Sequence, residues 1–245
     1  MARRQLNGDG RRARLGIVVP SVNTVMEPWA QKVVPDGVSI FASRMFIPPA
    51  MTPDAFIEMD RNEGKAAIRQ LSSVFPDAIA YGCTASSIVQ GLAYDADLRA
   101  EIEQRYKTPS TTAAHAIVTA ARALGMAAVS IVSPYTKEVD EAEHRYFAGA
   151  GLAVLGGACL GIADGFALAE PEPDVLFDLA LRGFDRRADG LIMTCLNTRS
   201  HAVIDRLEQR LGKPVVTSTQ ATLWHALRLA GIDDRIPGYG KLLDG

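Results

Sequence analysis

One pattern occurs twice in this chain, and it restricts the fold more than any other feature. Asp77-Ala-Ile-Ala-Tyr-Gly-Cys83 and Asp189-Gly-Leu-Ile-Met-Thr-Cys195 each hold an acid, a short apolar run and a cysteine six positions after the acid. Small polar residues and a helical pattern follow each copy. An apolar run of this length, bounded by turn residues, reads as a buried parallel strand. Both cysteines then stand at carboxyl ends of strands, where open α/β sheets bind their ligands.

Other landmarks recur in the same order. Pro20 and Pro134 differ by 114 positions, Cys83 and Cys195 by 112, Pro109 and Pro214 by 105, and Gly125 and Gly231 by 106. A repeat of half the chain is a duplicated domain; solenoid units run roughly 20 to 50 residues. Strands and helices alternate within each copy, which predicts an α/β fold of two pseudo-symmetric Rossmann-like half-domains. Each is a parallel sheet flanked by helices, with the active site between them. The expected boundaries are a disordered basic tail over 1–13, an N-terminal half-domain over 14–112 completed by 218–245, and a C-terminal half-domain over 113–217.

Within that frame, Leu15–Val19 and Val38–Phe46 read as strands, and Ile47–Thr52 as a loop over the site. Pro53–Val74 reads as one long helix. Ser87–Tyr106 reads as a helix broken near Tyr94-Asp95, and Gly238 with Gly240 marks a flexible C-terminal loop.

Composition removes several function classes. The chain has 245 residues, 48% of them hydrophobic, so a core forms without metals or disulfides. Its net charge of −2 gives no basic field for nucleic acid. Leu15–Val19 is too short for a signal-peptide core or a membrane span. Cys83, Cys159 and Cys195 are an odd number with no framework spacing, which fits reduced thiols in a cytoplasmic protein. His115, His144, His201 and His225 show no metal-site spacing, and no Gly-x-Gly-x-x-Gly follows Val19. Neither a metal nor a cofactor is expected, nor a nucleic-acid or membrane partner.

Two thiols at equivalent strand ends suit acid–base or nucleophilic work. A thiol just before a helix lies near its positive end, which favours the thiolate. Small neighbours make Cys83 the expected thiolate, whereas Met193 and Leu196 favour a neutral Cys195 thiol. Such a pair can swap protons on opposite faces of a carbon, or one thiol can add to a polarised double bond while the other manages the proton. Cys159 has no counterpart in the repeat and reads as a buried small hydrophobe.

With these residues in place, the chain resembles the aspartate/glutamate racemase superfamily, close to maleate cis–trans isomerases and arylmalonate decarboxylases. Val19-Pro-Ser-Val-Asn-Thr-Val-Met-Glu27, Ser43-Arg-Met45 and Glu58-Met-Asp60 are similar to the isomerases. Lys213-Pro-Val-Val-Thr-Ser218, Trp224, Leu227–Gly231 and Pro237-Gly-Tyr-Gly-Lys-Leu-Leu243 are similar to the decarboxylases. Those decarboxylases have glycine at the position of Cys83.

The resemblance implies a cofactor-independent cis–trans isomerase of a small unsaturated dicarboxylate. Cys83 adds to the alkene and Cys195 handles the proton. Asn23 matches a carboxylate-binding asparagine and Tyr135 a substrate-contacting tyrosine. Thr84 and Leu196 offer backbone N–H groups, and Ser21, Ala85 and Asn197 complete the expected substrate-binding set. A second carboxylate-contacting asparagine of the isomerases falls where this chain has Gly165. The alternatives are a racemase or decarboxylase of a small carboxylate, or a non-catalytic small-carboxylate binding protein. A small carboxylate is the expected partner, and a homo-oligomer the expected assembly.

Overall fold

The computed structural model describes residues 9–48 and 50–245. The first sheet contains β1 (Ala13–Pro20), β2 (Val38–Met45), β3 (Ala78–Tyr81) and β4 (Ser110–Thr112), in the spatial order β2-β1-β3-β4. The second contains β5 (Ala128–Ser133), β6 (Ala153–Cys159), β7 (Gly190–Met193) and β8 (Val215–Thr217), in the order β6-β5-β7-β8. All pairings in both sheets are parallel. The order is the same in both sheets, as a duplication requires.

The repeated acids have a structural use. Asp77 accepts a hydrogen bond from the Arg14 N–H at the start of β1. Asp189 accepts from the Ala127 and Ala128 N–H groups at the start of β5. Each acid thus fixes the register of its strand against the central strand of its own sheet. Those two N–H groups also hold the Asp189 carboxyl below its usual range. A second pair of braces repeats: Glu103 accepts from the Ser110 N–H, and Glu208 from the Val215 N–H at the same spacing.

Helices cover both sheets. They are α1 (Met26–Val33), α2 (Pro53–Met59), α3 (Lys65–Ser72), α4 (Thr84–Tyr106), α5 (Ala113–Ala123), α6 (Lys137–Gly149), α7 (Pro173–Gly183), α8 (Ile204–Leu211), α9 (Ser218–Leu229) and α10 (Lys241–Asp244). Threonine caps repeat as well. Thr112 accepts from His115 N–H at the start of α5, and Thr217 forms a reciprocal box with Gln220 at the start of α9. Leu223, Ala226 and Leu227 of α9 pack with Leu15 and Ile17 of β1, so the last long helix covers the first sheet. The β strands at the centre of each sheet are buried on both faces, and burying one such Ile or Val contributes roughly 1.5–3 kcal/mol.

Several expectations change. The single helix over Pro53–Val74 contains a π turn at Asp60–Gly64, between α2 and α3. The helix after Cys83 begins at once, at Thr84, and its break lies at Gly91, not at Tyr94-Asp95. Gly91 has φ +87°, a conformation that side chains oppose, so the chain bends where glycine permits it. The C-terminal glycines do not lead into a loose loop. Gly240 N–H donates to Asp205, Ile236 N–H donates to the Leu243 carbonyl, and Leu243 is fully buried. Of the expected basic tail, residues 1–8 lie outside the described residues. Arg12 pairs with Asp234, and Ala13 already belongs to β1. Cys159 is only half-buried, because β6 is an edge strand. Among the described residues, no helix is long and apolar enough to cross a membrane.

Candidate active site

Cys83 leaves β3 in ordinary extended backbone, at φ −130° and ψ 100°, and is the residue before the first turn of α4. The first N–H groups of a helix have no partner within it. Thr84 and Ala85, which open α4, line one cavity together with the thiol. Gly82 makes the approach possible: a Cβ there would meet the Val18 carbonyl oxygen at 2.8 Å.

Cys195 sits differently. It has φ +81°, a left-handed conformation rare for any residue with a side chain. A turn follows it, and the next helical segment is a 3-10 turn at Arg199–Val203. Unlike Cys83, this cysteine does not stand directly before a helix. The reversal brings the Asn197 N–H back onto the Cys195 sulfur at 3.3 Å. Holding a side chain in this region costs about 1–2 kcal/mol. A Cys195→Gly protein is therefore expected to melt about 2–4 °C above Cys195→Ala, since both lack the thiol and only alanine keeps the strain. Equal melting temperatures in differential scanning calorimetry would show that the turn is relaxed.

The two cysteines line one small cavity of about 30 Å³. Of the predicted residues, Asn23, Thr84, Ala85, Tyr135, Leu196 and Asn197 also line it. Ser21 does not. Its hydroxyl accepts from Ile47 N–H and its N–H donates to the Met45 carbonyl, so it braces the loop instead. Met51, from the loop predicted to cover the site, lines the cavity together with Phe56 and Leu168. The loop is tied down across the halves by a bond from Met51 N–H to the Ala163 carbonyl. Phe56 and Leu168 carry no sequence signal beyond an apolar position, and their role depends on contacts distant in the chain.

The two asparagines serve different ends. Asn23 Oδ1 accepts from the Val25 and Met26 N–H groups at the start of α1. That capping fixes the amide so that its NH₂ group is the part left for a ligand. Arg44 holds the same turn by donating to the Ser21 and Asn23 carbonyls. Asn197 is fully occupied: its Oδ1 accepts from Thr24 N–H, and its Nδ2 donates to the Val22 and Gly165 carbonyls. It ties the two halves together, and only its backbone faces the thiol. A Cβ at Gly165 would meet Met51 Cε at 1.9 Å, so a longer side chain there would have to displace the Met51 methyl group.

The electrostatics correct a second expectation. Burial pushes the Cys83 thiol well up, and the charge of Asp60 pushes it the same way. The Ser86 N–H and hydroxyl oppose this and are outweighed. Burial also pushes the Cys195 thiol up to about 12, against the opposing effects of the Tyr135 hydroxyl and Asn197 N–H. Desolvation exceeds the helix-end effect expected to favour the Cys83 thiolate. Tyr135 is itself held well above its ordinary range by burial, so it stays a neutral donor to Cys195. Among the described residues, no lysine or arginine lines the cavity. An anion there is met by N–H groups and the Asn23 amide. Among the described residues, no group of three or more His, Cys, Asp or Glu side chains could hold a metal ion.

Known proteins resemble this chain over almost its whole length. The arylmalonate decarboxylase of Bordetella bronchiseptica is 30% identical over 236 residues, covering 92% of this chain and 97% of that protein. A variant of arylmalonate decarboxylase in its liganded form superposes with a TM-score of 0.88 at 29% identity, covering 95% and 99%. A variant of the maleate isomerase Iso from Pseudomonas putida S16, bound to maleate, gives a TM-score of 0.88 at 26% identity, covering 95% and 98%. The family model for arylmalonate decarboxylase matches residues 15–243. The chain therefore belongs to the arylmalonate decarboxylase and maleate isomerase family of the aspartate/glutamate racemase superfamily.

Proposed function

We propose that this enzyme is a cofactor-independent cis–trans isomerase of a small unsaturated dicarboxylate, of the maleate type. The observation that carries the proposal is the presence of two free thiols, one from each half, on one small cavity. Cys83 as thiolate adds to one alkene carbon. The electron pair moves onto the neighbouring carboxylate, giving an enediolate-like anion. The Thr84 and Ala85 N–H groups and the Asn23 amide hold its oxygens, as donors in an oxyanion hole do. Cys195 gives its proton to the second carbon. Rotation about what is now a single bond follows. Cys195 takes the proton back, the carbon–sulfur bond breaks, and the trans acid leaves with no net change in protons.

Decarboxylation of a malonate is the second reading, because it runs through the same kind of anion and the family includes decarboxylases. One observation favours isomerisation. Protonating a decarboxylation product needs one acid, whereas this site has two thiols. Binding of maleate by the related isomerase Iso supports the substrate class.

The test is proton NMR of the protein with maleate, or with phenylmalonate, and with no metal or nucleotide added. Fumarate from maleate is the expected result. Phenylacetate from phenylmalonate without fumarate from maleate would assign decarboxylation. Saturable binding with no turnover of either would assign a binding protein. We also propose that the chain forms a homo-oligomer, which light scattering reads directly.

A further inference from the structure

Cys83 stands at a corner whose direction its own helix does not set. α4 is broken at Gly91, so the part that follows Cys83 is a separate segment over 84–90, about two turns long. A helix so short is marginal by itself, and the longer segment beyond the break does not fix its course. Thr84 ties down one point, by donating to the Ser218 hydroxyl at 3.1 Å. A second point is needed to fix where the segment, and the thiol before it, are aimed.

Asp60 supplies that point. Four donors converge on its carboxyl group. Tyr81 of β3 donates to Oδ1. Ser86, Gln90 and Tyr94 donate to Oδ2 at 2.7, 2.7 and 2.6 Å. A carboxylate accepts at both oxygens and donates nothing, so it can hold all four. Their places in the chain give the cluster its meaning. Tyr81 lies just before Cys83 and Ser86 just after it. Gln90 ends the first segment of α4, and Tyr94 belongs to the second. One side chain thus joins the strand that delivers Cys83, the segment that follows it, and the rest of the helix across its break.

Asp60 is itself built into place. It begins the π turn between α2 and α3, a distortion frequent at functional sites. Gly64 closes that turn, and a Cβ there would meet the Tyr81 hydroxyl at 2.9 Å, so glycine leaves the room in which Tyr81 reaches Asp60. Asp60 lines a second cavity, of about 290 Å³, and not the cavity of the two thiols. We propose that Asp60 is a positioning residue, which aims the Cys83 thiol and the opening turn of α4 by clamping β3 and both segments of α4 to one carboxylate. The assignment rests on the isomerase reading for the role of Cys83, and it deepens that reading by naming what aims the nucleophile.

The test leaves Asp60 and its charge in place and cuts the clamp at the helix break, with the paired change Gln90→Leu and Tyr94→Phe. The iodoacetamide labelling rate of Cys83 is measured in a Cys195→Ala background, and that of Cys195 in a Cys83→Ala background. Peptide mapping reads each site separately. Cys83 is only 5% exposed, so its labelling reports how often the corner opens. The clamp predicts labelling of Cys83 faster by at least about tenfold, with Cys195 changed by less than about twofold, because only one corner is released. A merely structural role predicts that both cysteines speed up alike as the melting temperature falls. Equal acceleration of both, or unchanged or slower labelling of Cys83, overturns the clamp. No substrate enters this measurement. Absence of turnover of maleate by the unaltered protein would remove the isomerase reading, and labelling would still decide the clamp.

Discussion

A Cys83→Ser protein is expected to lose isomerisation by at least about a thousandfold, or roughly 4 kcal/mol of barrier. The reason is the acidity of the nucleophile. A thiol in this cavity is already hard to ionise, and a hydroxyl in the same place is far harder, so almost no alkoxide is present to attack the alkene. The exchange keeps size and local backbone, which is extended at this position and tolerates serine. The fold should therefore survive, and circular dichroism with thermal melting checks that it does. The measurement is the rate of fumarate formation from maleate by NMR. Retention of more than about a tenth of the rate would remove Cys83 from the nucleophile's role and favour proton exchange between two bases.

Loss of the second thiol should look different. Cys195→Ser is expected to slow turnover by about 10²–10⁴-fold, the usual contribution of a positioned acid or base, while an adduct builds up on Cys83. Tyr135 and the Asn197 N–H are arranged around the Cys195 sulfur. They support a group that gives a proton and then recovers it. With serine there, the carbon protonated after addition cannot be deprotonated efficiently, so the carbon–sulfur bond persists. Intact-protein mass spectrometry should show a gain of one substrate, and peptide mapping should place it at Cys83. An adduct on any other residue, or full turnover, would reverse the assigned roles.

The sequence carries the duplication openly because its parts are local. Asp77 and Asp189 sit at fixed distances from their cysteines, and each bonds the backbone of the neighbouring strand in the same way. Thr112 and Thr217 cap equivalent helices. Asn23 and Tyr135 were picked out by the family resemblance, and both line the cavity. What was not legible depends on contacts between distant segments. Phe56 lies on one face of an amphipathic helix, and Leu168 in a stretch without periodicity. Neither pattern tells which core position faces a ligand. Asn197 has the chemistry of a ligand-binding amide, yet its partners at Val22, Thr24 and Gly165 use all of it. The Cys83 thiol was expected to be acidic from its place before a helix, and burial overrides that local effect. The left-handed turn at Cys195 has no glycine to announce it.

The shared strand order of the two sheets has a consequence for how the two thiols meet. Each half supplies one thiol, and neither half holds a complete pair. Were the halves separate molecules, every turnover would depend on their encounter, and dilution would dissolve the pair. Joining them in one chain makes the meeting intramolecular, with translational and rotational freedom already lost on folding. Well-oriented intramolecular groups act as though present at about 10⁵–10⁸ M. Asn197 adds to this by binding backbone atoms of both halves, so the thiols keep their spacing at any protein concentration.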